Sequence, residues 1–218
     1  MGGEGEGKFP EKVKMNKIFC SPIKLMAIML LSTSLLGWGD SWDQIKKTAN
    51  TITSVQAEFT QKKHLEILAR PMVSKGKFYF RAPRSLRWEY TSPLRSVLLM
   101  HGGTVTRYVK NDEQIIKDSS ARLQSMQVII QEIALWMKGT FDANPAFKPS
   151  LMPGRKIVLT PRDKAMADII QRIDLQLSAT PGVIQSVVIY ESRTSYTVLD
   201  FTRVTLNAAV PDSLFKEL

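Results

Sequence analysis

The chain has 218 residues, 44% hydrophobic and 23% charged, with 30 Lys and Arg against 20 Asp and Glu and a formal net charge of +10. That balance belongs to a folded domain and not to a disordered polymer. One cysteine, Cys20, and two histidines, His64 and His101, exclude a disulfide scaffold, a cysteine-based zinc site and a multi-histidine centre; no metal and no cofactor is expected.

Residues 1–14 are rich in Gly, Glu and Lys and read as a disordered extension or a mis-assigned start. From Met15 the pattern changes. Lys17 and Lys24 supply positive charge, Leu25–Leu36 is apolar apart from Ser32, Thr33 and Ser34, and Gly37-Trp38-Gly39 follows in mostly small residues. This is the layout of a cleavable signal peptide over 15–39. The apolar stretch falls short of the roughly 20 residues of a spanning helix; an uncleaved N-terminal anchor is the competing reading. Cys20 lies before the apolar stretch, whereas the lipid-bearing cysteine of a bacterial lipoprotein follows it. The expected product is a soluble exported domain over 40–218.

Ser41 and Gln44 have capping-box spacing, and Trp42, Ile45, Ala49 and Ile52 recur at helical intervals. From Val55 the period becomes two, with Val55, Ala57 and Phe59 on one face of a strand that continues through Gln61, Lys63, Leu65 and Ile67. Further strands are predicted at Lys75–Phe80, Leu86–Thr91, Arg95–Met100, Thr104–Val109 and Glu113–Lys117, separated by Ala82-Pro83, Ser92-Pro93, His101-Gly102-Gly103 and Asn111-Asp112. A helix interrupts them: Leu123, Met126, Ile130, Ile133 and Met137 share a side, Ile129 and Trp136 widen the stripe, and Gly139 is its expected stop. Pro145, Pro149 and Pro153 suggest a connecting loop. Strands resume at Lys156–Thr160, Ile169–Leu177, Val183–Glu191 and Tyr196–Thr205. The expected fold is mainly β (α+β), a single curved antiparallel sheet carrying two helices.

Catalytic patterns are missing. The chain holds no Gly-x-Ser-x-Gly, no phosphate-binding glycine loop and no His-Glu-x-x-His, and the acidic residues on strands suit cross-strand ion pairs. No enzyme is expected. Arg81, Arg84, Arg87 and Arg95 cluster in sequence with Phe80, Trp88 and Tyr90. Alternation sends Leu86, Trp88 and Tyr90 away from Arg87 and Glu89, which argues against nucleic acid and leaves a solvated basic face or a contact with an acidic partner or anionic membrane. The large apolar faces formed by Phe78, Phe80, Leu86, Trp88, Tyr90, Val97 and Leu99 are either a closed core or the wall of a ligand cavity; periodicity leaves both open.

Three runs carry a resemblance: Ala57-Glu58-Phe59-Thr60-Gln61-Lys62, Gly76-Lys77-Phe78-Tyr79-Phe80-Arg81-Ala82-Pro83 and Leu86-Arg87-Trp88-Glu89-Tyr90. With Val97-Leu98-Leu99-Met100-His101-Gly102, Ile157-Val158-Leu159-Thr160-Pro161 and Val210-Pro211-Asp212-Ser213-Leu214-Phe215, the chain from Trp42 to Phe215 resembles the periplasmic outer-membrane lipoprotein carrier family (LolA-type). The resemblance implies an incomplete barrel with a helical lid around an apolar cavity. It implies a non-enzymatic periplasmic carrier, expected to be monomeric, that takes lipoproteins from an inner-membrane ABC exporter to an outer-membrane receptor. It places Leu86 and Trp88 on the cavity wall. Phe59, Phe78, Phe80, Tyr90, Val97, Leu99, Ile130, Ile133 and Met137 are the further candidates for wall and lid, and Arg81, Arg84, Arg87 and Arg95 for a partner face. Ala82 stands where the family has an arginine before the proline, and His101-Gly102 where it has Asp-Gly. A carrier of another hydrophobic lipid, or an envelope sensor module, is the alternative on the same fold.

Overall fold

The computed structural model describes residues 41–101, 104–111, 114–118, 130, 132–180 and 182–216, together with residue 2. The signal-peptide pattern and the helical positions Leu123, Met126 and Ile129 lie outside the described residues. Ser41 caps the first helix, α1 (Trp42–Asn50): its side-chain oxygen accepts a hydrogen bond from the Gln44 amide at 3.2 Å, one of the donors a helix start leaves unpaired. Ile45 and Ala49 are the buried residues of this helix.

The strands are β1 (Ser54–His64), β2 (Met72–Arg81), β3 (Ser85–Ser92), β4 (Ser96–His101), β5 (Thr104–Asn111) and β6 (Gln114–Asp118), followed by β7 (Phe147–Met152), β8 (Lys156–Pro161), β9 (Arg172–Leu177), β10 (Ile184–Tyr190) and β11 (Tyr196–Leu206). They form one antiparallel 11-stranded sheet in the order β6-β5-β4-β3-β2-β1-β11-β10-β9-β8-β7. The long strands β1 and β11 pair at its centre, and among the described residues β6 and β7 each pair on one side only, so the sheet is not closed into a barrel.

A second helix, α2, is described at 130 and 132–136. Ile130, Ile133, Trp136 and Met137 are buried in the same cluster as the apolar face of the sheet. Gly139 ends this helix at a φ of +69°, with its amide on the Trp136 carbonyl at 2.9 Å and the Thr140 amide on that of Leu135 at 3.0 Å. A Cβ on Gly139 would meet the Ala49 Cβ at 2.6 Å. Glycine is therefore required for the backbone turn and for the close approach to α1.

Two expectations are corrected here. The proline-rich stretch is not all loop: Phe147–Met152 forms β7 and pairs with β8, Pro149 opposite Leu159. An edge strand tolerates proline because one row of its backbone donors has no partner. The strand expected from Ile169 starts only at Arg172, preceded by a one-turn helix, α3 (Lys164–Ala167), whose Met166 amide is capped by Asp163. After β11 a 3-10 turn, Asp212–Phe215, runs against β3 and β4.

Candidate functional site

Alternation along β2 and β3 aims Phe78, Phe80, Leu86 and Trp88 at one face, and register sets Phe78 opposite Trp88 and Phe80 opposite Leu86. All four are buried at 3% exposure or less. β1 adds Phe59 and β11 adds Phe201, which face each other across the central ladder. Phe59, Phe78, Trp88, Tyr90 and Phe201 form a connected layer of rings, with centroids from 4.7 Å apart for Phe59–Trp88 to 6.4 Å for Trp88–Tyr90. Edge-to-face contacts such as Phe78–Trp88 and Phe78–Phe201 suit the ring quadrupoles. The Phe59 ring crosses Gly76 so closely that a Cβ there would lie 2.5 Å from its Cζ and 2.0 Å from the Glu89 carbonyl oxygen.

Ile130, Ile133 and Met137 of the α2 region pack into the same apolar cluster. The void between Val55, Phe78, Met137, Val183 and Phe201 measures about 10 Å³. That is room for a single water molecule, against roughly 300–1,000 Å³ for an ordinary ligand pocket. At this point the interior is shut, filled by the side chains that would line a cavity. Burial shifts two polar side chains of these elements. The Tyr90 hydroxyl donates to Gln61 Oε1 at 2.8 Å, and burial pushes its phenol up to about 12. On α2 the buried Glu132 carboxyl is also pushed up by burial, partly offset by a hydrogen bond from the Asn144 amide.

The family model described as outer membrane lipoprotein carrier protein LolA matches residues 50–217, which take in every strand of the sheet. The chain belongs to the LolA family. It is similar to the outer-membrane lipoprotein carrier protein of Methylococcus capsulatus, 33% identical over 94 residues that cover 39% of this chain and 45% of that one. It is also similar to that of Cronobacter sakazakii, 26% identical over 129 residues, 57% of this chain and 59% of that one. The chain thus spans about half the length of the curated relatives it matches. Among solved structures, the LolA superfamily protein of Nitrosomonas europaea aligns with a TM-score of 0.40 at 14% identity, over 82% of this chain and 98% of that one.

Of the candidates in this LolA-family chain, Phe59, Phe78, Phe80, Leu86, Trp88, Ile130, Ile133 and Met137 come together in one cluster, with Tyr90 packed at its margin. Val97 and Leu99 do not join them, which corrects the expectation. Trp88 faces Leu98 and Leu86 faces Met100, so Leu98 and Met100 are the inward residues of β4. Val97 and Leu99 are turned to the other face, where they form a separate cluster with Tyr108.

The four arginines do not share one open face, and this too is a correction. Arg81 pairs with Asp212, donates to the Val210 carbonyl at 3.3 Å and lies 4.8 Å above the Phe215 ring. Arg87 is buried, paired with Glu89 at 2.9 Å and bonded to the Leu214 carbonyl at 3.2 Å. Both are taken up by the chain's own C-terminal segment. Arg84 and Arg95 are exposed but lie at opposite ends of the strands, one in the β2–β3 turn and one before β4. His101 Nδ1 lies 3.1 Å from Ser85 Oγ; that hydroxyl is on a buried residue, and Asp212, the carboxylate nearby, is engaged by Arg81. His64 stacks on Tyr196 at 4.3 Å. Sequence reasoning missed Phe201, whose signal was the alternation of Leu199 and Phe201 along β11, and Trp136, which was read only as widening a helix stripe.

Proposed function

We propose that this chain carries lipoproteins through the periplasm, holding their acyl chains between the apolar face of the sheet and α2, and passing them from an inner-membrane ABC exporter to an outer-membrane receptor without chemical change. The observation that supports this reading is the layer of aromatic and aliphatic side chains on an open-edged sheet, roofed by a helix that meets it through Ile130, Ile133 and Met137. Removing a lipid chain from water is worth roughly 0.8 kcal/mol per CH₂, about 13 kcal/mol for 16 carbons, and an apolar interior can recover that amount where a polar surface cannot.

Where Met137 meets Val55, Phe78 and Phe201 only about 10 Å³ is free, so an acyl chain enters there as α2 lifts from the sheet and replaces side-chain contacts made at that point. The free energy of opening is subtracted from cargo affinity, which keeps release within reach. Export through the pattern at 15–39 supplies the compartment. The test is extraction and mass spectrometry of lipid from protein recovered from the periplasm, together with a photo-reactive residue at Met137. Acylated cargo cross-linked at Met137 is the expected result. A different hydrophobic lipid there points to the other carrier reading, and no lipid with no acyl cross-link overturns both.

A further inference from the structure

On its β3 side the β1–β2 hairpin overhangs the sheet, while on the other side β1 stays paired with β11 as far as His64 opposite Tyr196. Pairing between β2 and β3 begins at Lys75 with Ser92, so Met72, Val73 and Ser74 pair only with β1. Three residues at about 3.4 Å each carry this ribbon roughly 10 Å beyond β3, and the tip Leu65–Pro71 extends past it. The tip is apolar where it should be polar: Ile67 is 88% exposed, and Leu68, Met72 and Val73 are exposed as well. The same end of the sheet holds the β3–β4 turn with Leu94, 76% exposed, and the β8–β9 connection with Ile169, 65% exposed. The opposite end exposes Met152 and Val204. Cations surround the overhang: Arg70, Lys75 and Arg193 are exposed and have no ion-pair partner among the described residues. Of the acids beside them, Glu191 pairs with Lys63 at 3.2 Å and Asp200 with Lys62 at 3.9 Å, while Glu66 accepts from the Thr194 hydroxyl at 2.9 Å and keeps its charge.

We propose that this hairpin end is a membrane-contact surface that inserts Ile67 and Leu68 among the lipids of an anionic bilayer while Arg70, Lys75 and Arg193 meet the headgroups. Apolar tips flanked by cations are what an interfacial anchor needs. Charge selects the occupant: exposed aliphatic side chains with cations beside them that lack an ion-pair partner among the described residues match a bilayer of anionic headgroups. The proposal goes beyond the carrier reading and rests on the exposed side chains alone.

The experiment is co-sedimentation of protein recovered from the periplasm with vesicles of phosphatidylglycerol and phosphatidylethanolamine, and with vesicles of phosphatidylcholine. The unmodified protein should bind the anionic vesicles and lose binding as salt rises. Ile67→Asp with Leu68→Asp should weaken binding at least about tenfold, the loss expected when one aliphatic side chain no longer leaves water. Arg70→Glu with Arg193→Glu should remove most of the salt-sensitive part, and Met152→Asp at the other end should change nothing. These positions are exposed, so each variant should melt like the parent and bind a fluorescent fatty acid unchanged, which separates this surface from the cargo site. Failure of the unmodified protein to bind anionic vesicles overturns the proposal, as does unaltered binding by the Ile67/Leu68 variant. A dimer in sedimentation velocity that this variant dissolves, without vesicle binding, assigns the tip to self-association and overturns it too.

Discussion

Leu86→Glu, measured beside Leu86→Gln, tests whether the interior is dry at rest. Leu86 has no exposed surface and lies between Phe80 and Met100 across its two ladders. Both substitutions lose the apolar burial and bring a polar group inside, costing about 3 kcal/mol or more. Only the glutamate adds a proton linkage. In the unfolded chain its pKa is about 4.3; in a shut apolar interior the charged form is excluded and the folded value rises. Below about pH 4.3 both states are protonated and the two variants should be equally stable; above it the glutamate variant alone weakens with pH until its folded pKa is passed. If the side chain enters only as the neutral acid, the extra penalty is about 3.7 kcal/mol at pH 7 and about 1 kcal/mol at pH 5. With a urea slope of about 2 kcal/mol/M, the midpoint gap between the variants should be roughly 1.8 M at pH 7 and roughly 0.5 M at pH 5. A gap that does not change with pH means a hydrated carboxylate, and refutes the closed resting interior.

Gly76→Ala should lose at least about 2 kcal/mol of stability in a thermal or urea melt, because its Cβ would fall 2.0 Å from the Glu89 carbonyl oxygen and 2.5 Å from Phe59 Cζ; an unchanged melt refutes the close crossing of Phe59. Burial holds the Tyr90 phenol neutral to about 12, so absorbance titrations of the protein and of Tyr90→Phe should differ only as that pH is approached, and the substitution should cost about 1 kcal/mol for the lost bond to Gln61; a difference already present at pH 10 refutes the burial. The Arg81 guanidinium holds the Asp212 carboxyl below the usual carboxylate range, so this contact stabilises the C-terminal segment above the unfolded value near about 3.9 and is lost as pH falls through the lower folded value. Amide exchange at 210–216, corrected for intrinsic rates, should therefore speed up in acid, and Asp212→Asn should show the same loss of protection at neutral pH; equal protection in both refutes the clasp.

The hairpin succession from β1 to β6 was legible because its strands are bounded by Pro, Gly or Asn-Asp turns and most of them alternate. Phe78, Phe80, Leu86 and Trp88 were legible as one face for the same reason. β4 was not: Val97-Leu98-Leu99-Met100 is a continuous apolar run with no parity to read, and only the pairing of Trp88 with Leu98 decides which half faces in. β7 was hidden by Pro149, a residue that argues against a strand everywhere except on an edge. Arg87 read as a surface cation because the group that buries and bonds it, the Leu214 carbonyl, is 127 residues away. The hairpin tip was masked differently. Leu65 and Ile67 continue the two-residue period of β1, so they read as more strand, and nothing local to them says that the sheet has already ended.

The strand order has a consequence for the chain's connectivity. β6 and β7 follow each other along the chain yet stand at opposite edges of the sheet, so the one connection that carries α2 begins at one edge and returns at the other. Residues that are neighbours in sequence on either side of α2 are thereby held a full sheet apart, and the buried side chains of α2 meet the sheet between its two edges.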